Sequence, residues 1–269
     1  MDNLSDIRNK ELTLSERIKA AGKLAVAFSG GVDSTYLLYK AHEVLGDDAI
    51  AVTVKSQVIT KEEFEWTVEF CSRNGIKQTV LDFDVFAVPE FENNPPDRCY
   101  HCKKKIFSSI KEVAPEYVVA DGSNVDDQGD YRPGMRAIAE LGITSPLKDS
   151  GLTKSDIRVL SKEAGLPTWD HPSAACLASR FAYGEKITAE SLMRVAYAEK
   201  IIKDMGFEGI RVRVHGDLAR IEAMPEDIPL LSYVHTREEI SSELKRLGFK
   251  YVTIDIDGYR TGSMNEVLK

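Results

Sequence analysis

Four groups of residues in this chain carry types and spacings that could do chemistry. The first is SGGVDS, residues 29–34. Two glycines after an apolar run let successive backbone N–H groups face an anion, and a helix following them would add its positive end. Ser29 and Ser34 offer hydroxyl donors, and Asp33 can cap the helix or help to hold Mg2+. No lysine follows the glycines, so this is not the lysine-bearing loop that serves attack at a γ-phosphate. The second group is Cys99 and Cys102 in RCYHCKKKIF. Such a pair is open to four readings: a redox switch, half of a zinc site, part of an iron–sulfur site, or two unrelated thiols. The third is Cys176 in HPSAACLASRFAYG, residues 171–184, with Ser179 and Arg180 close behind it. An arginine there could hold an anion or lower a thiol pKa, although the ordinary reading of a lone cysteine is a packed thiol. The fourth is Arg211 and Arg213, which alternate with Val212 and Val214 and so share one face of a strand, with Glu222 on the returning run. Two guanidiniums on one face suit a phosphate. The competing reading is a solvated sheet face with a cross-strand Arg–Glu pair of little energetic weight.

The elements that must position these groups alternate. An N-terminal amphipathic stretch, 4–22, precedes LAVAF (24–28), a continuous apolar run suited to a strand buried on both faces. DSTYLLYKAHEVLG then reads as helix, AIAVTVKS as strand, KEEFEWTVEFCSRNG as helix, QTVLDFD as strand, CKKKIFSSIKEVA as helix and YVVADGS as strand. Strand and helix in strict turn predict an α/β fold with a parallel sheet, whose ligands gather at the carboxyl ends of the strands. SGG, Val54–Ser56 and DGSN (121–124) all fall there. After about residue 185 the pattern becomes helix, hairpin, helix and strand, which predicts a smaller C-terminal α+β domain. The sequence boundary is placed near Tyr183–Gly184, giving domains 1–184 and 185–269.

Composition narrows the class. A chain of 269 residues, 43% hydrophobic, can bury a sizeable core, and a formal net charge of −8 speaks against a nucleic-acid reader. No apolar run approaches the roughly 20 residues of a membrane span, and the polar start is unlike a signal peptide. A cytoplasmic protein is expected, where a C-x-x-C pair more often means metal or catalysis than a disulfide.

In its context, SGG-x-DS resembles the pyrophosphate loop of the PP-loop ATP pyrophosphatases. That likeness implies that residues Ser29, Gly30, Gly31, Val32, Asp33 and Ser34 hold the β- and γ-phosphates of ATP while the α-phosphate is attacked. It also implies that Val54 to Ser56 meet adenine through the backbone and that Gly122 helps to close the nucleotide pocket. For Asp126, Asp127 and Asp130 a solvated turn and a role with Mg2+ are equal alternatives. SGGVDS, DGSNVDDQGDYRPG, SPL, AACLASRFAYG, GIRVRVHGDLARIE and IDIDGYRTGSMN, in that order, are similar to the LarE family. Its members are ATP-dependent sulfur transferases that make the organic ligand of the nickel-pincer cofactor used by lactate racemase. The likeness runs from about residue 15 to the end.

The resemblance implies adenylation of a pyridinium-3,5-dicarboxylate mononucleotide, followed by sulfur displacing AMP. It implies catalytic roles for Cys176 and Asp33. Arg211 and Arg213 are implied at the substrate phosphate, with Ser179, Arg180, Glu199 and Glu222 in the same cleft. Some members surrender the sulfur of the cysteine matching Cys176. Others carry three cysteines, as here with Cys99, Cys102 and Cys176, and resemble enzymes with a three-thiolate [4Fe-4S] cluster whose open iron holds sulfide. Zinc is the alternative metal, with His101, His171 or Cys71 as fourth ligand; the simpler reading of Cys71 is a helix-packing thiol. The expected partners are the mononucleotide and sulfide or another sulfur donor, without nucleic acid or membrane, and a homo-oligomer is compatible. The rivals are tRNA thiolation by a related PP-loop enzyme and a non-catalytic ATP-binding redox or metal sensor.

Overall fold

A computed structural model describes residues 2–128, 133–171, 175–260 and 262–268. The chain forms two units, Met1–Val88 with Cys99–Ala174, and Pro89–Arg98 with Ala175–Lys269.

The first unit contains helix α1 (Asp2–Ala21), strand β1 (Leu24–Ala27), α2 (Val32–Leu45), β2 (Ala49–Lys55), α3 (Lys61–Arg73) and β3 (Lys77–Asp82). It continues with α4 (Arg98–Val113, whose first residue belongs to the second unit), β4 (Val118–Ala120), α5 (Gly134–Glu140), α6 (Pro146–Asp149) and α7 (Lys154–Glu163). The sheet is parallel throughout, in the order β3-β2-β1-β4. Successive residues of β1 serve opposite cores, which is why LAVA has no polar position. Leu24 and Val26 pack with Leu14, Ile18, Leu37, Phe70 and Leu160. Ala25 packs instead with Val52, Phe107, Ile110 and Ile138. The strand order reverses at β1, whose neighbours are β2 and β4. The crevice at the carboxyl ends of β1 and β4 is therefore the topological switch point, where such sheets bind ligands.

The second unit has α8 (Ala189–Asp204), β5 (Arg211–His215), β6 (Leu218–Glu222), α9 (Ile228–Leu231), α10 (Val234–Arg246) and β7 (Tyr251–Ile254). β5 and β6 form the hairpin expected around His215–Asp217, and β7 joins β6 in parallel. The boundary by contacts falls after residue 174, whereas the change of pattern in the sequence lies near Tyr183–Gly184. The reason is local: Phe181 bridges to Val214, and Arg180 pairs with Glu199 on α8.

Residues 89–98 join the second unit through Asn94. This side chain is fully buried at φ +48°, and its amide donates to the carbonyls of Ala182 at 2.7 Å and Phe181 at 3.4 Å. The Asn94 backbone carbonyl accepts from Gly184 N–H, and Arg98 reaches both Asn94 Oδ1 and the Ala178 carbonyl. Asparagine tolerates the left-handed region better than most residues and supplies the donors. Asn94→Ala is therefore expected to lower unfolding free energy by about 2–3 kcal/mol, read from the urea midpoint, because buried carbonyls lose their donor and Arg98 loses one of its acceptors.

Candidate active site

The phosphate loop begins where β1 ends. Phe28 N–H still reaches Val52 O at 2.9 Å, and Thr53 Oγ1 donates to Phe28 O at 3.1 Å. Gly30 has φ +82°, and a Cβ there would lie 3.0 Å from Trp66 Cε3 and 3.1 Å from Thr67 Cγ2. Both conformation and space thus require glycine. Gly31 is the N-cap of α2 and no side chain caps that end, so the N–H groups of its first turn remain for a ligand. Ser34 Oγ donates to Gly31 O at 3.1 Å and lies 3.1 Å from Ser29 Oγ, holding both hydroxyls at the loop mouth. Asp33 does not cap its helix, contrary to one of its two expected uses. Its carboxylate instead meets Lys154 Nζ at 2.5 Å and Asn124 Nδ2 at 3.4 Å. Burial pushes the Asp33 carboxyl up, Lys154 opposes that shift, and Asp127 adds to it.

The facing loop, DGSN, follows β4. A Cβ on Gly122 would sit 3.0 Å from Ser34 N and 3.2 Å from Ser34 Cα, so Gly122 is what lets the two loops touch. Asp121, 4% exposed, anchors the turn by accepting from Ser145 Oγ at 2.6 Å and from Ser123 Oγ. Asp126 accepts from the N–H of Lys154, 28 positions away, at 2.8 Å, and Asp127 from the nearby Asn124 N–H at 3.0 Å. Asp130 lies outside the described residues. At the end of β2, Val54 is half-buried, and Ser56 Oγ is buried without a hydrogen-bond partner, a donor left over by the protein itself.

Cys99 and Cys102 lie in the first turns of α4, at a spacing that puts both on one helical face. Cys99 is exposed and Cys102 half-buried. Tyr100 between them braces the turn against α5. Arg136 lies 3.7 Å over its ring, and its hydroxyl donates to Glu140 at 2.7 Å. Cys176, exposed, precedes a short 3-10 turn (Leu177–Arg180) and belongs to the second unit. Among the described residues no three His, Cys, Asp or Glu side chains converge as a metal-holding group. Cys71 is 1% exposed and burial pushes its thiol up to about 12, the behaviour of a packed thiol. His171 offers its carbonyl to Arg158 at 2.7 Å, and His101 stands edge-on to Tyr100.

In the second unit, Ser179, Arg180, Glu199, Arg211, Arg213 and Glu222 come together. The Arg211/Arg213 face is not solvated: Arg211 is 8%, Arg213 6% and Glu222 0% exposed. Glu222 accepts from Arg213 at 2.7 Å, Ser263 Oγ at 2.7 Å and Arg220 at 3.2 Å. Arg213 also donates to Ser179 O at 3.1 Å. Arg180 grips both oxygens of Glu199 at 2.9 Å and donates to Ala175 O, Ser179 Oγ and Cys176 O. The Cys176 turn is thus held by Arg180. Burial lowers the Arg211 guanidinium pKa, and Arg180 and Arg213 push it the same way against Glu199. Sequence reasoning reached Asn124 only as part of DGSN and passed over Lys154 and Ser263. Lys154 sits 121 positions from Asp33, a separation that no local pattern reveals.

A glycine phosphate loop at the switch point of a parallel sheet, with an acidic residue in it and no lysine of its own, defines a PP-loop nucleotide enzyme. No protein-family model matches the chain. It is 36% identical over 269 residues to pyridinium-3,5-bisthiocarboxylic acid mononucleotide synthase of Lactiplantibacillus plantarum, covering 98% of this chain and 97% of that protein. It is 40% identical over 247 residues to an uncharacterised protein of Synechocystis sp., covering 90% and 92%. One of the chains of the glutamine-hydrolysing GMP synthase of Thermoplasma volcanium shares 27% identity over 169 residues, covering 55% of this chain and 53% of that one. The chain belongs to the LarE family, the ATP-dependent sulfur transferases of the PP-loop class. No described helix is long and apolar enough to cross a membrane.

Gly122→Ala should weaken ATP binding roughly tenfold or more, measured by calorimetry, since forcing an extra carbon into a packed contact costs about 1–3 kcal/mol. Glu222→Ala should lower the unfolding free energy of the protein by about 3–5 kcal/mol, because it leaves Arg213 charged, buried and without its carboxylate.

Proposed function

We propose that this enzyme activates the carboxylates of pyridinium-3,5-dicarboxylate mononucleotide with ATP and replaces oxygen by sulfur, giving thiocarboxylates for a nickel-pincer cofactor. The observation that carries the reading is near-complete coverage by a synthase of that product, in a chain whose phosphate loop keeps its helix amides uncapped. A substrate carboxylate oxygen attacks the α-phosphorus and pyrophosphate leaves. A sulfur nucleophile then attacks the acyl carbon and AMP leaves. The amides and hydroxyls of 29–34 bind the leaving pyrophosphate, Val54 and Ser56 the adenine side, and Gly122 keeps the pocket closed. The oxygen donors of Asp33 and Asp127 suit a hard cation, and Mg2+ there would neutralise phosphate charge.

Arg211 is the stronger candidate for the substrate phosphate, because burial and two neighbouring arginines concentrate positive charge around it, whereas Glu222 neutralises Arg213. Arg180 and Glu199 position the Cys176 turn, with Ser179 beside it. When Cys176 supplies its own sulfur, its Sγ bonds to the acyl carbon. Loss of the Cα proton and cleavage of Cβ–Sγ then release the thiocarboxylate and leave dehydroalanine. The second reading makes Cys99, Cys102 and Cys176 ligands of a [4Fe-4S] cluster. Two thiols on one helical face favour it, and no converged metal-holding group exists among the described residues.

Protein, ATP, Mg2+ and the dicarboxylate mononucleotide should yield AMP and a product whose mass reports oxygen-to-sulfur exchange. Absence of AMP with the wild-type protein overturns the transferase reading in favour of a sensor, and tight tRNA retention at moderate salt turns it towards tRNA thiolation. Cys176→Ala should still release pyrophosphate yet form no thiocarboxylate. Anaerobic protein carrying iron and sulfide that are lost in Cys99→Ala supports the cluster. A metal-free wild type with a dehydroalanine at 176 after one turnover supports the sacrificial route, and bound zinc overturns the iron.

A further inference from the structure

We propose that Tyr259 is a positioning residue of the arginine face: its ring holds the Arg211 guanidinium so that the edge of N–H donors is turned to the phosphate of the mononucleotide. This deepens the assignment of Arg211 to the substrate phosphate above and rests on it.

Tyr259 belongs to IDIDGYRTGSMN, the closing motif of the chain. After β7 the backbone stays bound to the β6 run: Asp255 N–H donates to Ile221 O at 2.8 Å and Tyr259 N–H to Ala223 O at 2.7 Å. Gly258 permits that approach. It sits at φ +70°, and a Cβ there would lie 2.8 Å from Ala223 O. Asp255 fixes the intervening turn by accepting from Asp257 N–H at 3.0 Å. The register then decides what Tyr259 faces. Ala223 follows Glu222, and Glu222 is the residue that pairs with Arg211 across the hairpin. The Tyr259 backbone is thus pinned one strand away from Arg211, within reach of a tyrosine side chain. Its ring centroid lies 5.5 Å from Arg211 Cζ.

Tyr259 is half-buried, and its hydroxyl makes no hydrogen bond among the described residues, so what it offers Arg211 is the face of its ring. A guanidinium is planar, and an aromatic face on one side restrains that plane while leaving the edge donors to a bidentate anion. A carboxylate takes up those donors instead, as Glu222 does at Arg213: its Oε2 accepts from Nε at 2.9 Å and from Nη2 at 2.7 Å. Arg211 Nη1 also donates to Ile210 O at 2.7 Å, which fixes a second point of the same group. Arg211 is buried, the setting in which a cation–π contact is worth most. The ring therefore differs in kind from the carboxylate beside it, because it steadies a cation without neutralising it.

A ring that merely fills space would sit in the same place, so the test separates the two roles. Calorimetry measures binding of the dicarboxylate mononucleotide, and of the same nucleoside without its phosphate, to wild type and variants. The variants are Tyr259→Leu and Tyr259→Met, which lack a π face, Tyr259→Phe, Arg211→Gln and the Arg211→Gln/Tyr259→Leu double variant. The ratio of the two affinities is insensitive to the fraction of protein folded. Tyr259→Leu and Tyr259→Met should bind the mononucleotide about 5- to 20-fold more weakly, the loss of a desolvated cation–π contact, with affinity for the nucleoside unchanged. Tyr259→Phe keeps the ring and should restore most of the mononucleotide affinity. The double variant should match Arg211→Gln, because Tyr259 acts through Arg211 alone. An unchanged mononucleotide-to-nucleoside ratio in Tyr259→Leu and Tyr259→Met, or a further fall of that ratio in the double variant, overturns the proposal and leaves Tyr259 as a packing residue. Arg211→Gln that keeps the wild-type ratio overturns instead the phosphate assignment beneath it.

Discussion

The site in the first unit depends on one contact: the backbone of Gly122 lies against the backbone of Ser34. Two loops at the ends of neighbouring parallel strands would ordinarily be held apart by their side chains. Here one loop has no side chain where they meet, and Gly30 is equally bare where Trp66 and Thr67 press on the other. The phosphate loop is therefore sandwiched between α3 and the β4 loop. Its amide directions are set before any nucleotide arrives, which is the preorganisation that charge stabilisation requires. The sheet order contributes the rest, since only at β1 and β4 do neighbouring strands send their chains in opposite directions.

The second unit solves a different problem. It buries arginines, which is costly unless each finds a partner. Glu222, at the centre, accepts from the strand opposite, from its own strand and from Ser263 beyond β7. Arg220 is further held by Asp255 at 3.0 Å. A network closed by so many donors has little freedom to rearrange, and Arg211, 8% exposed, lies on the same strand as Arg213.

Much of this was legible in the sequence, for reasons that differ by element. LAVAF, AIAVTVKS and YVVADGS declare buried parallel strands because both faces of each must be apolar. SGGVDS declares its turn because two adjacent glycines are hard to explain otherwise. The hairpin at His215–Asp217 follows from alternation on either side of it. What sequence could not convey is depth. The Arg211/Arg213 face reads as solvent-exposed by alternation, yet the turn at 177–180 and residues beyond β7 cover it. The lysine opposite Asp33 is equally invisible, because LTKSD announces only a helix start. Cys102 reads as the start of a helix and Cys99 as the loop before it, whereas α4 begins at Arg98 and takes in both, with Tyr100 between them held against α5.

The segment 89–98 has an implication for how the molecule is made. It emerges from the ribosome inside the first unit's stretch of chain, but its partners, Phe181, Ala182, Gly184 and Ile187, are synthesised far later. Until then the segment, whose Phe91 is 1% exposed in the finished protein, lacks those hydrogen-bond partners. The segment's backbone and Asn94 wait for their partners through that interval, when an incompletely folded nascent chain is most vulnerable to aggregation. Because loop closure becomes only slowly more costly with length, the late docking is thermodynamically cheap. Its hazard is one of timing, and a holding chaperone would be expected to act there first.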